Sequence, residues 1–549
     1  MAESPWWQTA VIYQIYPRSF ADSNGDGIGD IQGIIAHLDY LVTLGVSALW
    51  ICPMYASPNH DNGYDISDYQ AIAPEYGTMA DFDELVTAAK RRGLRIIMDL
   101  VLNHTSDEHP WFVAARNSID DPHRDFYVWR RGHDKQPPNV LQSVFSDSAW
   151  QFDSKTSEYY LHLFTRYQPD LNWQEPRLRA ELYKMMNFWV DKGVGGFRLD
   201  VIDLVGKEPD QMITAEGPCL HSYLQELNSE VLATNSDLVT VGEAWSATPE
   251  SGIKYSAPQR HELSMVFQFE HMMIDQELPT DSSGKWESIP FSVQRLKQAL
   301  SKWQIALADK GWNSLFWNNH DLPRIVSRWG DDQRYWQESA KAFAILLYFM
   351  QGTPYLYQGE EIGMTNSLVS NIDQVDDVEA RNMYFSRLKE GASPESLIAK
   401  INRKGRDSAR TPMQWNAKAV NAGFSSGKPW LPVNQNYHKI NVEAQLQDQD
   451  SILTLYRQLI TFRKESLTIL RGKYHLMSTS DNIFAYTREY QHEKILVVAN
   501  LSGMFVEEAF EGVTSDRIKV IVKNQALVWA QSGTLCLAPY TAFAAYVKA

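Results

Sequence analysis

The chain has 549 residues, too many for one simple core, so two or three domains are expected. Hydrophobic residues make up 44% and aromatics 12%, enough for a large globular interior. Asp plus Glu number 67 against 51 Lys plus Arg, a formal charge of −16, which argues against nucleic acid or an anionic membrane as partner and fits a neutral substrate.

The N-terminal stretch Met1 to Trp7 lacks a basic segment followed by a long apolar core. No later stretch is apolar enough for a bilayer span. Cys52, Cys219 and Cys536 are too dispersed for metal-ligand spacing and read as buried free thiols of a reducing compartment. A cytoplasmic monomer is expected.

Apolar runs that read as strands alternate with helix-sized segments. The first run is Ala10 to Tyr16. Next, Asp22-Ser23-Asn24-Gly25-Asp26-Gly27-Ile28-Gly29-Asp30 sets oxygen ligands at every second residue, as a calcium loop does. Gly33 stands where an EF-hand would carry its bidentate acid, so on spacing alone a metal loop and a solvated acidic turn are equally open. Helical periodicity follows in Ile31, Ile34, Ile35, Leu38, Leu41 and Leu44. The second run is Ser47 to Ile51, and the third is Leu94 to Leu100. Between them Thr78 with Asp81 resembles a helix-start capping pattern, and Gly93 ends that helix. From Thr105 to Trp173 the chain is polar and aromatic without a strong helix signal, which suggests a small inserted domain. A helix from about Pro176 to Lys192 leads into the fourth run, Gly195-Gly196-Phe197-Arg198-Leu199-Asp200-Val201. The remaining runs are Asp237 to Gly242, Met265 to Phe269, Ser314 to Trp317 and Thr353 to Tyr357.

Eight such strands suggest a parallel (β/α)8 barrel rather than an open doubly wound sheet. The barrel is expected over residues 1–104 and 174–472, with residues 105–173 inserted after strand three. Residues 360–430 read as a long loop subdomain, a length more often functional than idle. From Lys473 short alternating runs such as Ile483 to Tyr486 and Ile518 to Val522 read as a C-terminal antiparallel, sandwich-like β domain over residues 473–549.

In a barrel of this kind reactive groups gather at the C-terminal ends of the strands. Here Asn103-His104 follows strand three, Arg198 and Asp200 strand four, Glu243 strand five, and His320-Asp321 strand seven. A single Arg198–Asp200 pair would be structural. Three acids at three strand ends imply one cleft, where repulsion and an apolar setting raise one pKa and leave another acid ionised. Glycoside hydrolysis needs that division of labour. Arg198 is expected to hold Asp200 charged, and Trp245 to wall Glu243 with apolar surface so that it keeps its proton.

The stretches Asp99-Leu100-Val101-Leu102-Asn103-His104, Gly196-Phe197-Arg198-Leu199-Asp200, Val241-Gly242-Glu243 and Asn319-His320-Asp321 resemble the four signature regions of the alpha-amylase superfamily of glycoside hydrolases, in order and spacing. The resemblance covers essentially the whole chain. It implies Asp200 as nucleophile, Glu243 as general acid/base and Asp321 as transition-state stabiliser. His104, Arg198 and His320 would line the subsite of the transferred sugar. Retention through a covalent glycosyl-enzyme implies carboxylates about 5–5.5 Å apart.

Within the superfamily the chain is similar to the oligo-1,6-glucosidase and dextran (glucan) 1,6-α-glucosidase branch. Ser57 to Asp65 resembles its pocket-floor motif, which implies that Asp61 binds the non-reducing end opposite Arg406 and that Tyr64 stacks on the sugar. Gln168 to Trp173 is a further branch marker, and Glu243 to Glu250 resembles the dextran glucosidases. Val201 is typical of members that cleave α-1,6 bonds. Trp245, Lys285 and Glu379 would meet the second sugar; an ordinary surface pair is the alternative for Lys285 and Glu379. The branch also implies structural calcium on Asp22, Asn24, Asp26, the Ile28 carbonyl and Asp30.

The expected function is an exo-acting α-glucosidase on isomalto-oligosaccharides or dextran fragments. The rivals are a trehalose-6-phosphate hydrolase, a sucrose isomerase and an α-1,4-glucosidase. A non-catalytic glycan-binding or transporter-associated subunit would be marked by a lost acid and an anchor, and all three acids are present.

Overall fold

The computed structural model describes residues 5–134, 136–145, 148–233, 235–277 and 282–548. The first four residues of the N-terminal stretch lie outside that set. Eight parallel strands, β1 (Ile12–Ile15), β2 (Ala48–Ile51), β3 (Arg95–Val101), β4 (Gly196–Asp200), β5 (Val239–Glu243), β6 (Met265–Phe267), β7 (Ser314–Leu315) and β8 (Thr353–Tyr357), pair with their chain-order neighbours, and β8 pairs with β1. The ring closes between β6 and β7 through a parallel bridge, Val266 to Asn313, where Ser314 Oγ donates to the Val266 carbonyl at 2.7 Å. The barrel expected from the sequence is therefore present.

Its interior is a packed core. Trp50 of β2, Phe267 of β6 and Tyr355 of β8 meet ring to ring, with Phe267 and Tyr355 centroids 4.5 Å apart. The Arg198 guanidinium of β4 lies 5.2 Å over the Trp50 ring. Alternate strands of such a barrel supply one layer of interior side chains. Arg198 thus stands among apolar layer residues, and the site is built directly on the core.

The helix Met79–Arg91 carries the full capping box of Thr78 and Asp81, and Gly93 follows at φ +75°. Pro176–Asp191 starts on a proline and buries Leu178, Leu182, Met186 and Trp189 against the sheet. The periodic stretch from Ile31 is two helices, Ile31–Ala36 and Leu38–Leu44, separated at His37, whose φ of −108° and ψ of 8° leave the helical region. Apolar spacing continues through the break, so periodicity alone could not reveal it.

Between β3 and Pro176 the chain forms a helix, Pro110–Asn117, and an antiparallel sheet of Trp129–Arg130, Glu158–Leu161 and Trp150–Asp153 around Leu141, Trp150, Leu161 and Leu163. The helix was not expected. It starts on Pro110 with His109 accepting the Trp111 N–H, a cap that the sequence reading missed. A buried Lys207–Asp170 ion pair at 3.1 Å ties this segment to the barrel. After β8, Val378–Lys389 and Pro394–Lys404 are helices packed through Ala380, Met383, Leu397 and Ile401.

The C-terminal segment is a sandwich. Five antiparallel strands run in the order Lys473–Leu476, Ile483–Tyr490, Glu493–Asn500, Ala542–Val547, Ile518–Lys523. Side chains alternate between faces. Ile483 and Ala485 pack with Leu535 and Leu537 of a second, three-stranded sheet. Phe484 and Tyr486 face the barrel, where the Tyr486 hydroxyl donates to the Leu346 carbonyl. All three cysteines are free, yet only Cys52 is buried; Cys219 is exposed and Cys536 half-buried, which corrects the expectation of three buried thiols. Among the described residues no helix is long and apolar enough to cross a membrane.

Candidate active site

Alternation along β4 puts Arg198 and Asp200 on one face. The strand opens on Gly196 at φ +154°, where an added Cβ would lie 2.0 Å from the Val239 carbonyl oxygen. Only glycine lets β4 approach β5 there. The Arg198 guanidinium, 1% exposed, then meets three carboxylates: Asp99 of β3 at 2.8 Å, Asp200 at 2.7 Å and Glu243 of β5 at 2.6 Å. It bridges the two acids expected to carry the chemistry.

One buried cation cannot neutralise three buried carboxylates. Burial, with the charges of Glu243 and Asp99, pushes the Asp200 carboxyl well above its usual range against the pull of Arg198. Burial likewise pushes Asp99 up to about 6, despite Arg198 and the donors of Trp50 and Tyr64. Burial thus opposes the charged forms of Asp200 and Asp99 more strongly than the one guanidinium supports them. The expected Arg198–Asp200 contact is present, and it works against burial and two neighbouring acids. Trp245 differs from expectation: its indole donates to Glu243 Oε1 at 3.1 Å while its ring stacks on Phe269 at 3.7 Å. It presents an N–H to the acid rather than an apolar wall.

Asp321 has the opposite surroundings. Burial favours its neutral form, but His320, Arg410 at 2.7 Å and Arg406 at 3.4 Å pull it well below the carboxylate range. His320 is itself pushed down to about 3, chiefly by burial, and is neutral. Gln14 Nε2 lies 2.9 Å from its Nδ1 and has only hydrogens to offer, so the ring proton is on Nε2, toward the Tyr64 oxygen at 2.6 Å and Asp321 at 3.2 Å. The Tyr64 hydroxyl donates onward to Asp99 at 3.0 Å, and its ring stacks on His320. Burial and the Lys207 charge push His104 down to about 3. His104 Nδ1 lies 3.1 Å from Asn103 Nδ2, and its Nε2 lies 3.2 Å from both the Tyr64 carbonyl and Gln168 Nε2.

Across from Arg198, Arg406 meets Asp61 at 3.1 Å and Asp377 at 2.6 Å. Burial raises the Asp61 carboxyl, only partly offset by Arg406 and Arg410. These groups enclose a cavity of about 310 Å³, whose wall contains Asp61, Tyr64, His104, Asp200, Val201, Trp245, Glu243, Lys285, Asp321, Glu379 and Arg406. Arg198 and His320 lie beneath that wall, not in it. Lys285 and Glu379, 2.5 Å apart, form a pair in the cavity wall with Glu379 buried, so they are not an ordinary surface pair. Val201 sits at φ 35°, ψ 45°, a left-handed conformation that costs a β-branched residue of the order of 1–3 kcal/mol, and its N–H points to Glu243 Oε2 at 3.1 Å.

Sequence reasoning missed Asp99, Asp203, Gln168, Asp377 and Arg410. Gln168 donates to Asp61 Oδ2 at 3.2 Å. Asp99 was within reach, because it shares the inner face of β3 with Val101 and Asn103 by period two. Asp377 and Arg410 lie in the long segment after β8, and no local spacing there reports the distant groups they meet.

In the acidic loop, Asp22 accepts the Gly25 and Gly27 N–H groups, Asn24 that of Asp26, and Asp26 that of Ile28. Asp30 takes the Ser23 and Gly33 N–H groups. The donors are all oxygen, which suits a hard cation, and each carboxylate keeps acceptor capacity beyond these bonds. Among the described residues no three His, Cys, Asp or Glu side chains form a metal-holding group.

Residues 14–472 match the family model for the alpha-amylase catalytic domain. The chain is 51% identical over 543 residues to a glucan 1,6-alpha-glucosidase of Streptococcus pneumoniae, covering 98% of this chain and 99% of that one. It is 52% identical to an oligo-1,6-glucosidase of Parageobacillus thermoglucosidasius, covering 91% of each. The crystal structure of Bacillus licheniformis trehalose-6-phosphate hydrolase superposes with a TM-score of 0.92 at 43% identity, covering all of both chains.

Proposed function

The chain belongs to the alpha-amylase family, and on that footing we propose that it is a retaining, exo-acting α-glucosidase that releases glucose from the non-reducing ends of α-1,6-linked isomalto-oligosaccharides or dextran fragments. The observation that carries this reading is the single guanidinium bridging Asp200 and Glu243 at one wall of a cavity that Asp61 and Arg406 close at another.

The chemistry follows from the charges. Glu243 passes a proton to the glycosidic oxygen as Asp200 attacks the anomeric carbon, forming an Asp200 ester and freeing the rest of the oligosaccharide. Glu243, now a carboxylate, takes a proton from water, which displaces Asp200 and returns the anomeric configuration. One acid must enter protonated and the other ionised, and Arg198 touches both, so a proton can pass between their roles without either losing its guanidinium partner. Asp321, kept ionised by two guanidiniums, offers its negative charge to the oxocarbenium-like transition state. Asp61, Arg406, Tyr64 and His104 shape the glucose subsite, with Arg198 and His320 acting from below.

The linkage rests on Val201 and on Trp245, Lys285 and Glu379, which stand where the leaving sugar would lie. The two relatives at about half identity carry 1,6-glucosidase names, which supports the same linkage. The fold likeness to a trehalose-6-phosphate hydrolase does not by itself select that substrate: Ala244 to Thr248 after the acid departs from that subfamily's pattern, and the cavity cations Lys285 and Lys404 are paired with Glu379 and Asp275. We also propose structural calcium on Asp22, Asn24, Asp26, the Ile28 carbonyl and Asp30, and a monomer in a reducing, cytoplasmic setting, supported by the oxygen-only loop and the free cysteines. Incubation with isomaltotriose and maltotriose tests the linkage: glucose release at least tenfold faster from isomaltotriose is expected, and faster release from maltotriose would refute it.

A further inference from the structure

Beside Glu243, in the lining of the same cavity, is a carboxyl that the reaction above does not use. Asp203 follows Asp200 around the corner that leaves β4 and is 1% exposed. Its Oδ2 accepts the Ser246 backbone N–H at 3.0 Å and the Ser246 hydroxyl. Its Oδ1 is buried with no hydrogen-bond partner. Ser246 is the neighbour of Trp245, whose indole N–H rests on Glu243 Oε1. A chain of fixed contacts therefore runs from Asp203 through Ser246 and Trp245 to Glu243. The same corner reaches Glu243 a second time, through the Val201 N–H.

The groups facing Asp203 are acidic or neutral. Glu216 donates its backbone N–H to the Asp203 carbonyl at 2.9 Å, and its carboxylate takes the Tyr255 hydroxyl at 2.5 Å. Glu243 stands on the other side, itself held by Arg198. Among the described residues no cation pairs with Asp203. Burial, with the charges of Glu216 and Glu243 and against the Ser246 donors, pushes Asp203 up to about 7.

We propose that Asp203 is a positioning residue for Glu243: it clamps the Trp245–Ser246 turn so that the indole stays on the acid, and it places a second chargeable carboxyl beside that acid. The inference rests on Glu243 being the general acid. When Asp203 ionises, its negative charge opposes ionisation of Glu243, so the acid keeps its proton to higher pH. An asparagine at this position would keep an acceptor for Ser246 and lose the charge. An alanine would lose both.

The test compares pH profiles of kcat for wild type, Asp203→Asn, Asp203→Ala and Ser246→Ala on isomaltotriose and on 4-nitrophenyl α-glucoside, whose leaving group needs little protonation. Asp203→Asn is expected to move the alkaline limb on isomaltotriose to lower pH by about half a unit or more. Asp203→Ala is expected to lower kcat for isomaltotriose about tenfold more than for the nitrophenyl substrate. Ser246→Ala, the milder change should Asp203→Ala fail to fold, shifts the limb the same way by less. An Asp203→Asn limb that superposes on wild type, or losses equal on both substrates, would overturn the proposal. Glu243→Gln serves as control. If it spares isomaltotriose turnover, the general-acid reading itself fails, which is a different result from an unshifted limb.

Discussion

Asp200, Asp203 and Asp321 share one cleft but shift in opposite directions, and their neighbours decide which. Asp321 faces Arg410 and Arg406 and lies well below the carboxylate range. Asp200 shares one guanidinium with Glu243 and Asp99 and lies well above it. Asp203, without a cation, is pushed up to about 7, chiefly by burial. Only Asp200 combines a place in the cavity wall with a guanidinium bridge to Glu243. Its substitution is therefore the sharpest residue-level test. Asp200→Asn keeps an oxygen for Arg198 and is nearly isosteric, so the circular dichroism spectrum should be unchanged while kcat falls by more than about 10⁴-fold. Turnover within tenfold of wild type would remove Asp200 as the nucleophile.

At the scale of elements, the strands were legible because apolar runs ending in polar residues are how a barrel presents chemistry at one rim. Glu243 at the end of β5 and Asp200 at the end of β4 stand where that pattern put them. The C-terminal sheet was legible for a similar reason: the alternation Ile483, Phe484, Ala485, Tyr486 sends successive side chains to two different cores. Charge partnerships were not legible. Asp377 reaches Arg406 across 29 positions and Asp99 reaches Arg198 across 99, and no local spacing encodes such contacts. The break at His37 escaped because apolar spacing does not report φ and ψ. The Asp22–Asp30 loop is the element proposed to hold calcium. Its Asp22 is bonded to Ser425, so a bound cation would pin two distant segments together. Calcium added to chelator-treated protein should raise Tm by several degrees with kcat changed less than twofold, as a binder of the folded state alone must. Equal Tm with and without calcium would contradict the site.

For the whole molecule, many buried ionisable groups have shifted in ways that oppose one another with pH. Burial pushes Asp65, Asp99 and Asp407 up to about 6, and Asp203 and Glu360 up to about 7. An acid raised on folding stabilises fully below its unfolded pKa, and that contribution is lost as pH rises through the folded value. Buried His104, His109 and His320 are pushed down to about 3 and His271 to about 4, so they destabilise as pH falls below their unfolded value. Asp377 lies at about 2: burial opposes this, and Arg406 and Arg410 prevail, so its contribution is lost as pH falls from about 4 toward 2. The acids and histidines offset each other between about pH 4.5 and 6.5, and above that window only the acids still titrate. Tm should therefore decline between about pH 6.5 and 8.5 and drop steeply below about pH 4. A Tm that rises across the upper range would contradict this reading of the buried charges.

The central claim is that Asp200 and Glu243, joined by one guanidinium, act as nucleophile and acid on one glucosidic bond. Proton NMR during the first turnovers of isomaltotriose reads the outcome directly, before mutarotation blurs it. Glucose should appear first as the α-anomer, since two displacements at one carbon restore its configuration. β-Glucose as the first product, or no release of glucose, would contradict the claim.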